Sequence, residues 1–239
     1  MHRGLSPDSL HGVPVAGGVC RTPATAPGPD GKSGLIDNLS RPRPSPTRPS
    51  VPRQLKPKDF TGDAPSVARS LIGATLLVDG VGGLIVEVEA YDESDPASHC
   101  HPGQTPRNRA MFGPPGHAYV YFNYGLHWCL NFVCGPEGHG SGVLIRALQP
   151  TRGLDIMRER RGLDDERLLC AGPGRVGQAL GITRDLYGLP LDQPPFRVLA
   201  SDPRHPMDVV CGPRVGIRRA TELPWRFGCA GSRYLSRKF

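Results

Sequence analysis

Between Leu84 and Arg146 the chain gathers the residue types that hydrolytic chemistry on a nucleic-acid base would need. Val86-Glu87-Val88-Glu89-Ala90-Tyr91 carries two carboxylates, His99 and Arg107-Asn108-Arg109 follow, and Tyr119, Tyr121, Tyr124 and Trp128 form an aromatic run. Glu89 ends a predicted strand beside a tyrosine, where partial desolvation can tune a carboxyl group into a general base. Glu87, two residues earlier on the same predicted face, is its rival. Rings next to arginines suit a nucleic acid, because stacking contributes roughly 1–3 kcal/mol per base while a guanidinium grips the phosphate backbone.

Each of these residues also has a plainer reading. Glu89 could be an exposed structural carboxylate, and Tyr119 and Tyr121 alternate with Val120 as strand residues of a core would, a role that also fits Phe122. His99-Cys100-His101 invites a zinc ion but lacks the Cys-x-x-Cys pairs or the His-Glu-x-x-His spacing that such a site needs. The expectation is therefore no metal, with His99 a hydrogen-bonding group in a pocket wall. Cys129 and Cys134 read as small buried hydrophobes.

The elements that must hold these groups follow from period and punctuation. Asp63 is a helix cap, with Pro65 in the first turn and Val67, Ala68, Leu71 and Ile72 as an apolar stripe. Leu76–Val78 reads as a strand that turns at Asp79-Gly80 into a second strand, Leu84–Tyr91. Strict alternation there puts Leu84, Val86, Val88 and Ala90 inward, with Ile85, Glu87, Glu89 and Tyr91 on the opposite face. Ala118–Tyr121, Cys129–Cys134 and Val143–Leu148 read as further strands, Gly153–Arg161 and Val176–Leu180 as helices. The Pro-rich tract Leu189–Pro206 reads as a surface loop, and Val215–Ile217 as a late strand. The fold class expected is α+β: a single domain over residues 53–239 with a mainly antiparallel, curved sheet flanked by helices.

Residues 1–52 are rich in Pro, Gly, Ser and Thr without helical or strand period, which predicts a disordered basic tail. The formal net charge of +7 and pI near 9.2 favour a polyanionic partner. Lys32, Lys56, Lys58 and Lys238 are the only lysines, so the body between them relies on arginine, whose planar fork matches phosphate. Seven scattered cysteines and no leader-like start give reduced, intracellular thiols as the expectation. No apolar run of membrane-spanning length occurs in the sequence.

In order along the chain, Glu89-Ala90-Tyr91, His99, Gln104-Thr105-Pro106-Arg107-Asn108-Arg109-Ala110-Met111-Phe112, Gly116, Tyr119-Val120-Tyr121, Tyr124-Gly125, Asn131 and Arg146-Ala147-Leu148 resemble the alkyladenine family of 3-methyladenine DNA glycosylases. Leu169-Cys170-Ala171-Gly172-Pro173-Gly174 and Gln178-Ala179-Leu180 extend the likeness, which runs from about Phe60 to Phe227. Phe227–Ser236 matches the family's closing segment only loosely, and Asn123 stands where an apolar residue is common.

The resemblance implies that Glu89 activates a water against C1′ of a flipped nucleotide, with Arg146 positioning that water or the carboxylate. Tyr91 and Tyr121 would sandwich the extruded base, His99 would hydrogen-bond it, Asn131 would crowd a purine 2-amino group, and Val215 with Gly216 would close the pocket. Tyr124 would fill the gap left in the DNA stack, and Arg107 and Arg109 would touch the backbone. The implied substrate is double-stranded DNA carrying damaged purines such as 3-methyladenine, 7-methylguanine, hypoxanthine or ethenoadenine.

With no lysine in the motif block to form a Schiff base, base release without strand cleavage is expected, and no cofactor. A monomer suffices, acting in the cytoplasm at the nucleoid of a bacterium or in the nucleus of a eukaryote. Two other readings stay open from the residues alone: a damage-binding module without catalysis, and a metal-dependent nuclease using Glu87, Glu89 and His99.

Overall fold

Asp63 begins the folded helix framework as its cap, accepting hydrogen bonds from the Ser66 amide at 2.9 Å and the Ser66 hydroxyl at 2.8 Å. Such a cap is worth about 1 kcal/mol, and it starts α1 (Ala64–Leu71) with Pro65 in the first turn. Ala64, Val67, Ala68 and Leu71 form its buried stripe, which packs on the central strands. The computed structural model describes residues 52–239, so the reading of 1–52 as a tail lies outside the described residues except at Pro52.

Eight strands make one curved, antiparallel sheet: β1 (Thr75–Val78), β2 (Val81–Asp92), β3 (Ala118–Asn123), β4 (His127–Val133), β5 (Ser141–Arg152), β6 (Phe196–Leu199), β7 (Val209–Gly212) and β8 (Arg226–Cys229). Their order is β3-β4-β5-β2-β1-β6, with β8 pairing both β2 and β7. The long central pair β2 and β5 carries the chemistry. Along its other edge β2 changes partner, pairing β1 over Val81–Leu84 and β8 over Glu87–Glu89.

Two bulges sit at that change. Ile85 pairs Leu148 and Glu87 pairs Ala147, leaving Val86 unpaired, and Val88 then pairs Ile145, leaving Arg146 unpaired. An extra residue reverses which face the side chains before it occupy. Ile85, Val88 and Ala90 therefore enter the main core with Val143, Ile145 and Leu148. Val86 and Ala147 pack on Tyr234 in a separate cluster. The alternation expected from the sequence is thus corrected at Ile85 and Val86, which trade faces.

The core face is covered by α1, α2 (Leu154–Arg161), α3 (Glu166–Leu169) and α4 (Pro173–Leu180), which contribute Met157, Leu169, Val176, Ala179 and Leu180. Each such buried aliphatic contributes about 1.5–3 kcal/mol. Helix α4 lies so close to β4 that a Cβ on Gly177 would stand 2.1 Å from the Trp128 carbonyl oxygen. That closeness brings Pro173, at the start of α4, to the rim of the site.

Three further expectations are corrected. Leu189–Pro206 is not all loop, since Phe196–Leu199 pairs β1 as β6. Val215–Ile217 is not a strand; the strand lies earlier, at Val209–Gly212, and 215–217 belongs to the bent segment between β7 and β8. Helix α4 begins at Pro173 rather than Val176, because proline is well placed in a first helical turn.

Candidate active site

A cavity of about 740 Å³ opens on the face of β2 and β5 away from the helices, walled by Glu89, Tyr91, His99, Tyr121, Asn131 and Arg146 and, from the β7–β8 segment, by Val215 and Gly216. Of the expected site residues, Tyr124 also borders it, whereas Arg107 and Arg109 lie outside its lining and are exposed. Arg218 and Arg219 extend the rim with two exposed guanidinium groups. No helix of the described residues is long and apolar enough to cross a membrane.

Glu89 and Glu87 are both 0% exposed, yet their surroundings differ. Glu89 Oε1 accepts from the Val215 amide at 2.7 Å and lies 3.2 Å from Arg146 Nη1, and its Oε2 accepts from the Tyr91 hydroxyl at 2.8 Å. Glu89 lines the cavity, and its Oε2 has no protein donor besides Tyr91 among the described residues. Glu87 does not line the cavity and is tied into the protein: its Oε1 meets Arg146 Nε at 3.0 Å, Arg226 Nε at 2.8 Å and the Ser236 hydroxyl at 2.8 Å, and its Oε2 takes the Ser236 amide. Glu87 is a counter-ion. Of the two, Glu89 lines the cavity.

The bulge at Arg146 directs its guanidinium into this face, where it is 6% exposed. Burial disfavours its charge, but Glu89 and Glu87 outweigh that and hold its pKa above the ordinary value. Tyr91 is likewise pushed up, by burial first and then by the Glu89 charge, so its hydroxyl keeps its proton and donates. Behind the Tyr91 ring, 4.7 Å from its centre, lies the Arg214 guanidinium, held by Asp95 and by the Ala90 carbonyl oxygen at 3.0 Å. Arg214 thereby ties the loop carrying Val215 to the end of β2, which brings the Val215 amide onto Glu89.

Opposite Glu89, the rings of Tyr119 and Tyr121 stack 5.5 Å apart, and His99 stands edge-on to Tyr121 at 4.6 Å. His99 Nδ1 is 3.1 Å from the Tyr119 hydroxyl, which leaves Nε2 for a ligand. Desolvation against these rings, with the Arg107 charge nearby, lowers the His99 pKa, so the ring is neutral at pH 7. Asn108 fixes the loop by donating to the His99 carbonyl oxygen at 2.8 Å and that of Gly103 at 3.0 Å. The Asn131 amide donates to the Tyr119 carbonyl oxygen at 3.3 Å, fixing its orientation in the floor.

At the β3–β4 turn Tyr124 and Gly125 have φ of +48° and +68°, and the Leu126 amide bonds the Asn123 carbonyl oxygen at 2.9 Å. Positive φ at both central positions is the type I′ pattern, which disfavours a tyrosine. The turn nonetheless holds Tyr124 there, 83% exposed, with Leu126 beside it. Phe122 is exposed too and packs on Trp128, so of Tyr119 and Phe122 the core role fits Tyr119, which is buried.

Among the described residues no three His, Cys, Asp or Glu side chains are grouped as a metal site requires. None of the described lysines lines the cavity. Sequence reasoning missed Arg226, Ser236, Arg214 and Asp95. They lie far along the chain from the residues they hold, and no spacing signals such pairs.

The model of the methylpurine-DNA glycosylase family matches residues 58–233. A protein of Nitrosospira multiformis is 65% identical over 181 residues, 76% of this chain and 93% of its own. One of Rhodopseudomonas palustris strain HaA2 is 56% identical over 207 residues, 86% and 99% of the two chains, and one of Rhizobium meliloti is 61% identical over 180 residues, 75% and 95%. All three carry the name "Putative 3-methyladenine DNA glycosylase".

Proposed function

The chain belongs to the methylpurine-DNA glycosylase family, and from that premise we propose that it excises alkylated purines flipped out of duplex DNA, with Glu89 as the general base. The observation that carries this reading is the Glu89 carboxylate, held by the Val215 amide, the Tyr91 hydroxyl and the Arg146 guanidinium in the wall of a ring-lined cavity that Glu87 does not line.

A water held on Glu89 Oε2 gives its proton to the carboxylate as its oxygen bonds C1′, and the C1′–N bond breaks with its electron pair leaving on the purine. A cationic alkylated purine becomes neutral on leaving, so it departs more readily than hypoxanthine or an etheno adduct, which must gain a proton. Arg146 holds the carboxylate in place, and the Tyr91 hydroxyl and Val215 amide keep it from turning. Tyr91 and Tyr121 flank the base, His99 Nε2 and Asn131 meet its edges, and Gly216 with Val215 closes the far side.

Extruding a base costs a few kcal/mol, least where the base is damaged, and an aromatic side chain placed in the gap offsets part of it. Tyr124 suits that task, being fully presented at a rigid turn. Arg107, Arg109, Arg218 and Arg219 are exposed cations for the backbone. Since no described lysine reaches the cavity, the product is an abasic site in an uncut strand.

The test is release of free base, in excess EDTA, from duplexes carrying 3-methyladenine, 7-methylguanine, hypoxanthine or ethenoadenine. Release of the methylated purines without strand scission supports the reading. Binding without release, or an enzyme–DNA adduct trapped by borohydride, overturns it.

A further inference from the structure

Arg146 presents three nitrogen groups, and each faces a different acceptor: Nε bonds the Glu87 carboxylate at 3.0 Å, Nη1 makes an ion-pair contact with the Glu89 carboxylate at 3.2 Å, and Nη2 bonds the Ser236 hydroxyl oxygen at 3.2 Å. Two of these acceptors stand on β2. The third comes from a segment 90 residues further along, past residue 233, where the family match ends. Ser236 also donates to Glu87 through both its amide and its hydroxyl, so one residue holds the guanidinium and its counter-ion together.

The segment carrying Ser236 is itself anchored at both sides. Tyr234 is buried against Val86 and Ala147, the residues beside the two bulges, and its hydroxyl donates to Glu166 at 2.6 Å. On the other side Arg226, bound to Glu87, donates to the Arg237 carbonyl oxygen and lies 3.9 Å from the centre of the Phe239 ring. A planar guanidinium held at two points can still tilt about the line joining them. A third contact fixes its plane.

We propose that Ser236 is a positioning residue for base release: through Glu87 and the third arm of Arg146 it holds the guanidinium in the plane that keeps the Glu89 carboxylate aimed at the attacking water. This rests on Glu89 being the general base. Ser236 is not among the residues that line the cavity, so its loss acts on the chemical step and leaves binding alone.

The experiment measures single-turnover release of methylated purine from dimethyl-sulfate-treated duplex DNA, with duplex affinity and melting temperature measured on the same preparations of full chain. Ser236→Ala, which keeps the amide but loses the hydroxyl, should slow release about tenfold with duplex affinity at the wild-type value and a melting temperature lower by only the few degrees that a lost hydrogen bond costs. Ser236→Thr, which restores a hydroxyl, should return the rate to within about twofold of wild type. A wild-type rate in Ser236→Ala, a loss that tracks melting temperature or affinity, or no recovery in Ser236→Thr overturns the proposal. Wild-type protein that releases no base, or undiminished release by Glu89→Gln, would instead remove the reading on which it rests.

Discussion

Replacing each of the two buried glutamates of β2 by glutamine should separate stability from catalysis, although the residues are two apart and equally buried. Glu87 is the shared acceptor of Arg146 Nε, Arg226 Nε and both Ser236 donors. In Glu87→Gln two buried guanidinium groups keep one carboxylate between them, and the new amide N–H points at other donors. Breaking a buried ion pair in this way costs about 3–5 kcal/mol. For a domain of this size 1 kcal/mol moves the melting temperature by about 2–4 °C, so a fall of roughly 6–20 °C is expected. Glu89→Gln leaves Arg146 paired with Glu87 and loses only its 3.2 Å charge contact, at a cost of about 1–3 kcal/mol. It removes the proton acceptor, however, which should lower base release about 10²–10⁴-fold. Thermal melts by circular dichroism and single-turnover release report the two quantities. If Glu89→Gln proves the less stable of the two, or keeps more than a tenth of wild-type release, the assignment of counter-ion and base is wrong.

Tyr124→Ala removes an exposed side chain and should leave the stability within about 0.5 kcal/mol of wild type while slowing release from duplex more than from single-stranded DNA, as read by parallel assays. Gly177→Ala puts a methyl group into the Trp128 carbonyl oxygen and should destabilise the fold by about 1–3 kcal/mol or more, read by urea unfolding. The His139–Asp92 contact at 2.6 Å predicts a pH signature. The hydrogen bond to Asp92 raises the His139 pKa, so its contribution is full below the unfolded value of about 6.5 and is lost as pH rises through the raised value. Asp92 is held low despite its desolvation, by Ser94 and His139, so its share is lost as pH falls through that lowered value. The stability difference between wild type and His139→Gln should therefore peak at mildly acidic pH and shrink above neutrality, and a difference that grows with pH would contradict the assignment.

Long periodic segments were legible. The cap at Asp63 and the strands around Leu76–Val78, Ala118–Tyr121 and Val143–Leu148 rest on local rules of period and punctuation, and the structure places them as expected. The four-residue strands β6, β7 and β8 were not legible: β1 is no longer, but the Asp79-Gly80 turn joins it to the long β2, whereas β6 and β8 exist through pairing with strands distant in sequence. Nor were the bulges at Val86 and Arg146, since nothing local distinguishes a residue that a partner strand will skip.

By itself the sequence determined which groups are available: a carboxylate beside a tyrosine, a histidine, a run of rings, arginines without a nearby lysine, and through their order the family. It left Glu87 and Glu89 on one face, with Glu89 preferred for its place beside Tyr91 and by the resemblance, and gave no sign of what surrounds either. Tertiary structure separated their surroundings, by bringing Arg226 and Ser236 from 139 and 149 residues away onto Glu87, while Glu89, held by Tyr91 and Val215, lines the cavity. The reason is physical: residue type fixes what a carboxylate can accept, whereas which donors reach it depends on packing that brings distant segments together.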